Sequence, residues 1–152
     1  MTVVLDTNVI MDALQERRPF DAAAKEILLR AQNKEFICYF TANAATDIFY
    51  LYSKVRGLKS ARQVLNFLLA TYKVVSVTHE DCLNTMSMPI EDFEDALVSA
   101  CAKKAEADYI ISRDNKFLRK NSLVKVIEPK KFLQLCFKTK KNFIEHENGK
   151  PS

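Results

Sequence analysis

The feature that most constrains the fold of this chain is an alternation of short apolar runs with longer helical stretches. The runs are rich in β-branched residues, which suits strands buried on both faces. They lie at Val3–Leu5, Phe36–Phe40, Val74–Val77, Tyr109–Ile111 and Val124–Ile127. Alternating strands and helices favour parallel pairing through right-handed crossovers. The sequence therefore predicts a three-layer α/β sandwich built on a parallel sheet.

Helical stretches are predicted between these runs, over residues 19–31, 41–53, 60–72 and 92–107. Pro19 suits the first turn of a helix, and Thr41 and Ser60 are candidate N-caps. Apolar side chains of the second and third stretches are expected either in the core or on a surface that binds a partner protein. They are Ile48, Phe49, Leu51, Tyr52, Val64, Phe67 and Leu68.

Length and composition indicate one domain in a reducing compartment. The chain has 152 residues, 48% of them hydrophobic, which is enough to bury a core without a disulfide or a structural metal. Its four cysteines lie far apart and form no CxxC or Cys/His pair, which argues against a zinc site and a disulfide scaffold. The sequence has no run of 18 apolar residues, and its first residues do not have the pattern of a signal peptide. The predicted location is therefore cytoplasmic.

The basic residues are concentrated near the end of the chain. The net charge is only +4, but residues 113–141 contain ten Lys or Arg and two acids, a local balance of +8. The other residues therefore carry a net charge of −4. Such an asymmetry favours a polyanionic partner, nucleic acid first, and the alternative is a solvated, lysine-rich face.

Acidic residues occur where the predicted strands meet one edge of the sheet. Asp6 ends the first strand and Asp114 follows the fourth, so both are expected at the carboxyl edge, where ligands of parallel sheets bind. Asp47 lies in the helix after the second strand and Asp95 in the helix before the fourth. Each of these side chains can point back to the same edge.

Clustered carboxylates raise one another's pKa unless a cation compensates their charge. Mg²⁺ and Mn²⁺ prefer oxygen ligands, whereas a set without His or Cys disfavours zinc. A bound ion of this kind lowers the pKa of a water and neutralises charge on a phosphoryl group. The predicted chemistry is phosphodiester hydrolysis.

Each acid also has a structural interpretation. Asp92 is a candidate N-cap with Asp95 in the first helical turn, which is favourable without any function. Asp6 can cap or turn the chain into a following helix. Asp114 can pair with Arg113 or Lys116 in solvent, for about 0–1 kcal/mol. Two more acids, Asp12 and Asp21, are expected on exposed helix surfaces.

Four segments in order resemble the motifs of PIN-domain nucleases. They are residues 3–12 around Leu5-Asp6-Thr7-Asn8, residues 41–50 around Asp47, residues 92–102 beginning Asp92-Phe93-Glu94-Asp95, and Ile110-Ile111-Ser112-Arg113-Asp114. The resemblance spans about residues 2–134. It implies a Rossmann-like α/β/α sandwich with four to five parallel strands and an Mg²⁺- or Mn²⁺-dependent ribonuclease, most often the toxin of a VapC-type toxin–antitoxin pair. Implied partners are RNA, an antitoxin protein and a second copy of the chain.

The resemblance also implies roles for individual residues. The catalytic acids would be Asp6, Asp47, Asp95 and Asp114, and the metal ligands would be Asp6, Asp95 and Asp114. Asp47 stands where many members have Glu, and its shorter side chain favours a water-mediated contact. The accessory residues would be Asp92, Thr7, Asn8 and Ser112. Nucleic acid would be bound by Arg113, Lys116, Arg119 and Lys120, with pairing to an acid as the alternative for Arg113.

The resemblance places the nuclease domain at residues 1–136 and leaves residues 137–152 as a basic tail, either disordered or RNA-contacting. Glu106-Ala107-Asp108 stands where members often have a glycine before the fourth strand. Lys116-Phe117 stands where a further Asp or His often follows the fourth acid.

Three functions are compatible with the sequence. The first is a metal-dependent endoribonuclease, and the second is a catalytically weak PIN-like module that binds RNA. The third is a phosphotransfer or phosphatase domain with Asp6 as nucleophile. That third class lacks support, because no second Asp lies two residues after Asp6 and two glycines cannot build a phosphate-binding loop.

Overall fold

The computed structural model describes residues 1–120 and 122–137. Within this part of the chain, five strands form one all-parallel sheet in the order β3-β2-β1-β4-β5. The strands are β1 Thr2–Leu5, β2 Ile37–Thr41, β3 Lys73–Val75, β4 Tyr109–Ile111 and β5 Val126–Ile127. Each of the five predicted runs contains part or all of one strand, with bounds that differ by at most two residues, and the predicted parallel sheet is confirmed.

The helices surround this sheet on both faces. They are α1 Thr7–Leu14, α2 Asp21–Gln32, α3 Ala42–Thr71, α4 His79–Met86, α5 Phe93–Lys104 and α6 Asn115–Leu118, and residues 129–137 are also helical. Of the predicted tail, residues 137–152, the structure describes only Phe137, which is helical. Residues 138–152 lie outside the described part of the chain. No described helix has the length and apolar character needed to cross a membrane.

The sheet separates two apolar cores. Val3 and Leu5 of β1 pack on one face against side chains of α1, α2 and α3. Val4 points to the opposite face and packs against α5 and α6. Successive residues of a strand alternate between faces, so a strand covered on both sides must be apolar throughout. This confirms the predicted three-layer sandwich.

α3 is broken at Gly57, whose φ of 83° and ψ of 164° are not helical. Thr41 caps the helix as predicted, because its side chain accepts a hydrogen bond from the Ala44 amide at 3.3 Å. The prediction of Ser60 as a second N-cap is wrong, since the backbone is already helical there. Glycine adopts this positive φ without a steric penalty, so the break falls at Gly57.

The apolar residues of α3 divide between core and surface. Ile48 and Leu68 are fully buried, whereas Leu51 and Phe67 are exposed. α3 also exposes Val55 and other large apolar side chains. Part of this face is therefore available for a partner, which the sequence pattern left open.

Two of the four cysteines are deeply buried thiols with altered acidity. Cys38 and Cys101 are buried, and burial raises the pKa of Cys38 to about 12 and that of Cys101 to about 11. Both side chains are therefore protonated at neutral pH and are weak nucleophiles.

Before β4 the chain turns at Glu106, which has a φ of 51°. This is the left-handed conformation that favours glycine, and it occurs at the position where the PIN-domain resemblance implies one. The chain therefore makes the turn with a glutamate in place of the glycine.

Candidate active site

Six carboxylates line one cleft of about 470 Å³ in the described structure. They are Asp6, Asp47, Asp92, Glu94, Asp95 and Asp114. β1 and β4 are neighbours, with Leu5 paired to Ile111, so the residues that follow them meet at the carboxyl edge. α3 and α5 also begin at this edge, because helices in such a sandwich run antiparallel to the strands. All four predicted catalytic acids are thus brought together.

Asp6 is held by a polar network instead of capping the helix that follows it. It occupies the N-cap position of α1, yet its side chain makes no capping hydrogen bond. Its Oδ2 accepts from Ser112 Oγ at 2.7 Å and from Asn8 Nδ2 at 3.0 Å. The Asp114 amide donates to Ser112 Oγ at 3.1 Å, and the Arg113 amide donates to Asn8 Oδ1 at 3.3 Å. Two predicted accessory residues therefore orient Asp6 and the chain after β4.

The first turn of α5 supplies three of the acids. Asp92 is the N-cap and accepts a hydrogen bond from the Asp95 amide at 3.0 Å, as its structural interpretation predicted. Asp95 Oδ2 accepts from Lys120 Nζ at 3.1 Å. Glu94 lies between them and also lines the cleft. Negative charge is favourable at a helix N-terminus, which helps this turn to tolerate three acids.

Asp114, at the start of α6, and Asp47, in α3, are the other two predicted catalytic acids that line the cleft. Asp114 caps α6 by accepting from the Lys116 amide at 2.7 Å and the Phe117 amide at 3.4 Å. It pairs with backbone amides and not with the basic side chains considered from the sequence. Asp47 lies on α3 and lines the cleft together with Thr7 of α1.

The carboxylates destabilise one another's charged forms. Burial raises the pKa of Asp6, and the hydrogen bond from Ser112 opposes this shift. The negative charges of Asp95 and Asp114 raise the pKa of Asp6 further. Burial also raises the pKa of Glu94, with Asp47 as the largest charged contributor. The pKa of Asp95 is likewise raised by burial, although its hydrogen bond from Lys120 opposes this. A cation in the cleft would relieve this repulsion.

The donor chemistry of the cleft fits a hard divalent ion, because six carboxylates, and no His or Cys, are among the described residues that line it. Among the described residues, however, no three His, Cys, Asp or Glu side chains already stand close enough together to hold a metal. Lys120 contacts Asp95, and Asp92 and Asp114 are held at helix N-termini. Mg²⁺ or Mn²⁺ therefore fits the donor set but requires side-chain movement to bind.

The basic residues predicted to bind nucleic acid take different positions. Lys116 and Arg119 are exposed at α6, whereas Lys120 contacts a carboxylate of the cleft. The Arg113 guanidinium binds Asp12 through Nε to Oδ2 and through Nη2 to Oδ1, the latter at 3.1 Å. The prediction of an exposed Asp12 is wrong, since that residue is only 1% exposed. A buried carboxylate needs a partner, and Arg113 supplies it.

Sequence reasoning missed two charged residues that line the cleft. Glu94 was visible inside the acidic motif, beside Asp92 and Asp95, but was given no role. Arg17 lies beyond the end of α1, and its Nη1 is 3.9 Å from Asp12 Oδ1. Nothing in the local sequence marks Arg17, because its position depends on how the chain returns after α1.

The comparisons with known proteins agree with this geometry. A sequence model of the PIN domain matches residues 2–116. The chain belongs to the PIN-domain family. The resemblance drawn from the four motifs is confirmed. No curated protein sequence matches the chain.

Solved structures of VapC toxins and their complexes are similar to this PIN domain. VapBC2 from Rickettsia felis, bound to a DNA fragment from its promoter, has 16% identity and a TM-score of 0.66, covering 84% of this chain and 98% of that one. A toxin–antitoxin complex from Klebsiella pneumoniae has 18% identity and a TM-score of 0.63, covering 84% and 97%. VapC20 from Mycobacterium tuberculosis, a sarcin-ricin loop cleaving toxin, has 14% identity and a TM-score of 0.65, covering 79% and 95%. At these identities the likeness establishes the fold.

Proposed function

We propose that this PIN domain is an endoribonuclease that hydrolyses RNA phosphodiester bonds with Mg²⁺ or Mn²⁺, as the toxin of a type II toxin–antitoxin system. The observation that carries the proposal is the cleft with six carboxylates at the carboxyl edge of the sheet. Three of these groups, Asp6, Glu94 and Asp95, have pKa values that are raised by burial and by neighbouring carboxylates. Such a group of acids is costly without a cation and lies where ligands of parallel sheets bind.

The residues of the cleft have different roles in this proposal. Asp6, Asp95 and Asp114 would hold the ion, with Asp47 acting through a water. The ion would supply a water of lowered pKa and positive charge beside the scissile phosphate. Ser112 and Asn8 keep Asp6 oriented through their hydrogen bonds. Lys120 leaves Asp95 and becomes free to contact an RNA phosphate together with exposed Lys116.

The test is cleavage of RNA by the purified chain. We expect cleavage with Mg²⁺ or Mn²⁺, loss of cleavage with EDTA, and loss in Asp6→Asn. Asp21→Asn is the matched control, because Asp21 lies on α2 and pairs with Lys25 at 3.5 Å, away from the cleft. Full activity of a pure Asp6→Asn preparation would reject the assignment.

A protein partner is proposed from the surface beside the cleft. Tyr50 and Leu51 of α3 are exposed and also line the acidic cleft, so apolar and acidic surfaces adjoin there. An antitoxin segment with an apolar helix and an inserted Arg or Lys complements both. Several similar structures are toxin–antitoxin complexes, which supports such a partner.

The homodimer that the resemblance implies is also part of the proposal, and it is tested by light scattering of the purified chain.

The second candidate is a catalytically weak module that binds RNA. Two observations favour it: Lys120 neutralises Asp95, and the described acids form no group ready to hold a metal. RNA binding that is unaffected by EDTA, with no cleavage in either metal, would support this candidate over the nuclease.

A further inference from the structure

A second cleft of about 300 Å³ adjoins the acidic one. Its lining includes Pro19, Phe20, Arg113, Asn115, Glu128 and Lys130. Asp114, between Arg113 and Asn115 in the chain, lines the acidic cleft instead. The turn after β4 is therefore a wall shared by the two clefts, and a ligand that extends over this wall can occupy both.

The second cleft contains a preformed stacking surface. The Arg113 guanidinium carbon lies 4.5 Å from the centre of the Phe20 ring. Two hydrogen bonds to the buried carboxylate of Asp12 hold that guanidinium in place. Phe20 is nevertheless 42% exposed, and the Arg113 side chain is 32% exposed. Both planar groups are thus ordered before a ligand arrives and remain accessible to it.

We propose that this cleft binds one unpaired nucleobase of the RNA, next to the phosphate held at the acidic cleft. Bases of single-stranded RNA stack on aromatic rings and on guanidinium planes, and Phe20 and Arg113 offer one of each. Asn115 can bond to a base edge, and exposed Lys130 provides positive charge for the flanking phosphate. A volume of about 300 Å³ is at the lower end for ligand pockets and suits one planar base.

The inference rests on the proposed nuclease function and adds to it a subsite for the base beside the scissile phosphate. A base inside a duplex is stacked and paired, so it can enter this cleft only after extrusion, which costs free energy. The stacking surface has no fixed pattern of donors and acceptors, so it selects unpaired bases more than a particular sequence.

The experiment uses the full chain and single-stranded oligoribonucleotides that carry one abasic residue at successive positions around the cut. For the intact substrate, we expect Phe20→Ala to raise KM by roughly 5- to 150-fold with kcat nearly unchanged, which corresponds to the loss of one stacked base. In the wild type, one abasic position should raise KM to a similar extent. In Phe20→Ala, that position should have little further effect.

Controls separate stacking from folding. Phe137→Ala is matched to Phe20→Ala, because Phe137 is also exposed and has Arg30 at 4.5 Å from its ring centre. Phe20→Leu keeps apolar volume and removes the ring, so it should show the same KM defect, while Phe20→Tyr should retain binding. Thermal unfolding of each variant establishes that it folds.

The outcomes distinguish the two proposals. If the wild type cuts RNA and Phe20→Ala and Phe20→Leu behave like Phe137→Ala, the base subsite is wrong and the nuclease assignment stands. If equal cleavage is found for duplex and single-stranded RNA, the subsite is also wrong. If the wild type cuts no RNA with either metal, the nuclease assignment fails and the subsite fails with it.

Discussion

The buried contact between Asp12 and Arg113 gives the most quantitative prediction. Asp12 lies in α1 and is 1% exposed, and Arg113 reaches it from the turn after β4. The perturbation is Arg113→Ala, which leaves the Asp12 carboxylate with Arg17 as its nearest cation, at 3.9 Å. We expect a clear loss of stability, because a buried charge without a close partner is costly.

The magnitude follows from burial and contacts. Removing one partner of a fully buried ion pair costs about 3–5 kcal/mol. The Arg113 side chain is 32% exposed, and Arg17 remains nearby, so roughly half of that cost, about 2 kcal/mol, is expected. Loss of the cation–π contact with Phe20 adds about 0.5–1 kcal/mol. The sum of about 2–3 kcal/mol corresponds to a fall in Tm of about 4–12 °C for a chain of this size.

The assay is urea and thermal denaturation of a double-mutant cycle with Asp12→Asn and Arg113→Ala. We expect a coupling energy of about 1 kcal/mol or more, since the two residues share two hydrogen bonds. The control is Lys25→Ala, which removes an exposed ion pair of 2.9 Å to Glu16 and should change stability little. Additive effects of the two substitutions would refute the buried ion pair.

Three further predictions concern the cleft, an ion pair and a turn. Burial raises the pKa of Asp6, and the charges of Asp95 and Asp114 raise it further, so the free energy of unfolding of the metal-free chain falls as pH rises through that pKa. In urea denaturation with EDTA, Asp6→Asn should therefore raise the free energy of unfolding at neutral pH, and the gain should vanish below pH 3.8. A lower free energy of unfolding than wild type at neutral pH would contradict this. Lys104 holds the pKa of Asp81 below 3.8, so urea denaturation should find Asp81→Asn less stable than wild type at neutral pH, and the difference should close as pH falls below that value. Gly57→Ala should cost about 1–3 kcal/mol in chemical denaturation because alanine is strained at this φ and ψ, while unchanged stability would show that the backbone there relaxes.

Much of the fold follows from local pattern. Each strand was predicted because a strand covered on both faces must be apolar, as Val3, Val4 and Leu5 illustrate. α4 and α6 were not predicted, and α1 was expected only as a helix after Asp6 that carries Asp12, without bounds. The start of α4 is marked in the sequence by the capping box between Thr78 and Asp81. This pattern is polar, so a search for apolar periodicity does not find it. The capping box marks the start of α4 more clearly than apolar periodicity does.

The candidate site was predictable in its acids but not in its cations. Topology places the ends of neighbouring parallel strands together, so Asp6 and Asp114 were expected in one place. Lysine and arginine side chains are long and flexible, and their partners lie far away in sequence. The contact of Lys120 with Asp95 therefore required the folded chain.

The sequence by itself determined the parallel sheet and the edge at which the acids collect, because strand burial and crossover handedness are local or topological rules. Only the tertiary structure decided that Asp12 is buried and that Arg113 pairs with it beside Phe20. From sequence alone a charged side chain is predicted to be exposed, because a charge is buried only where the folded chain supplies a partner for it. In this chain that partner lies 101 residues away.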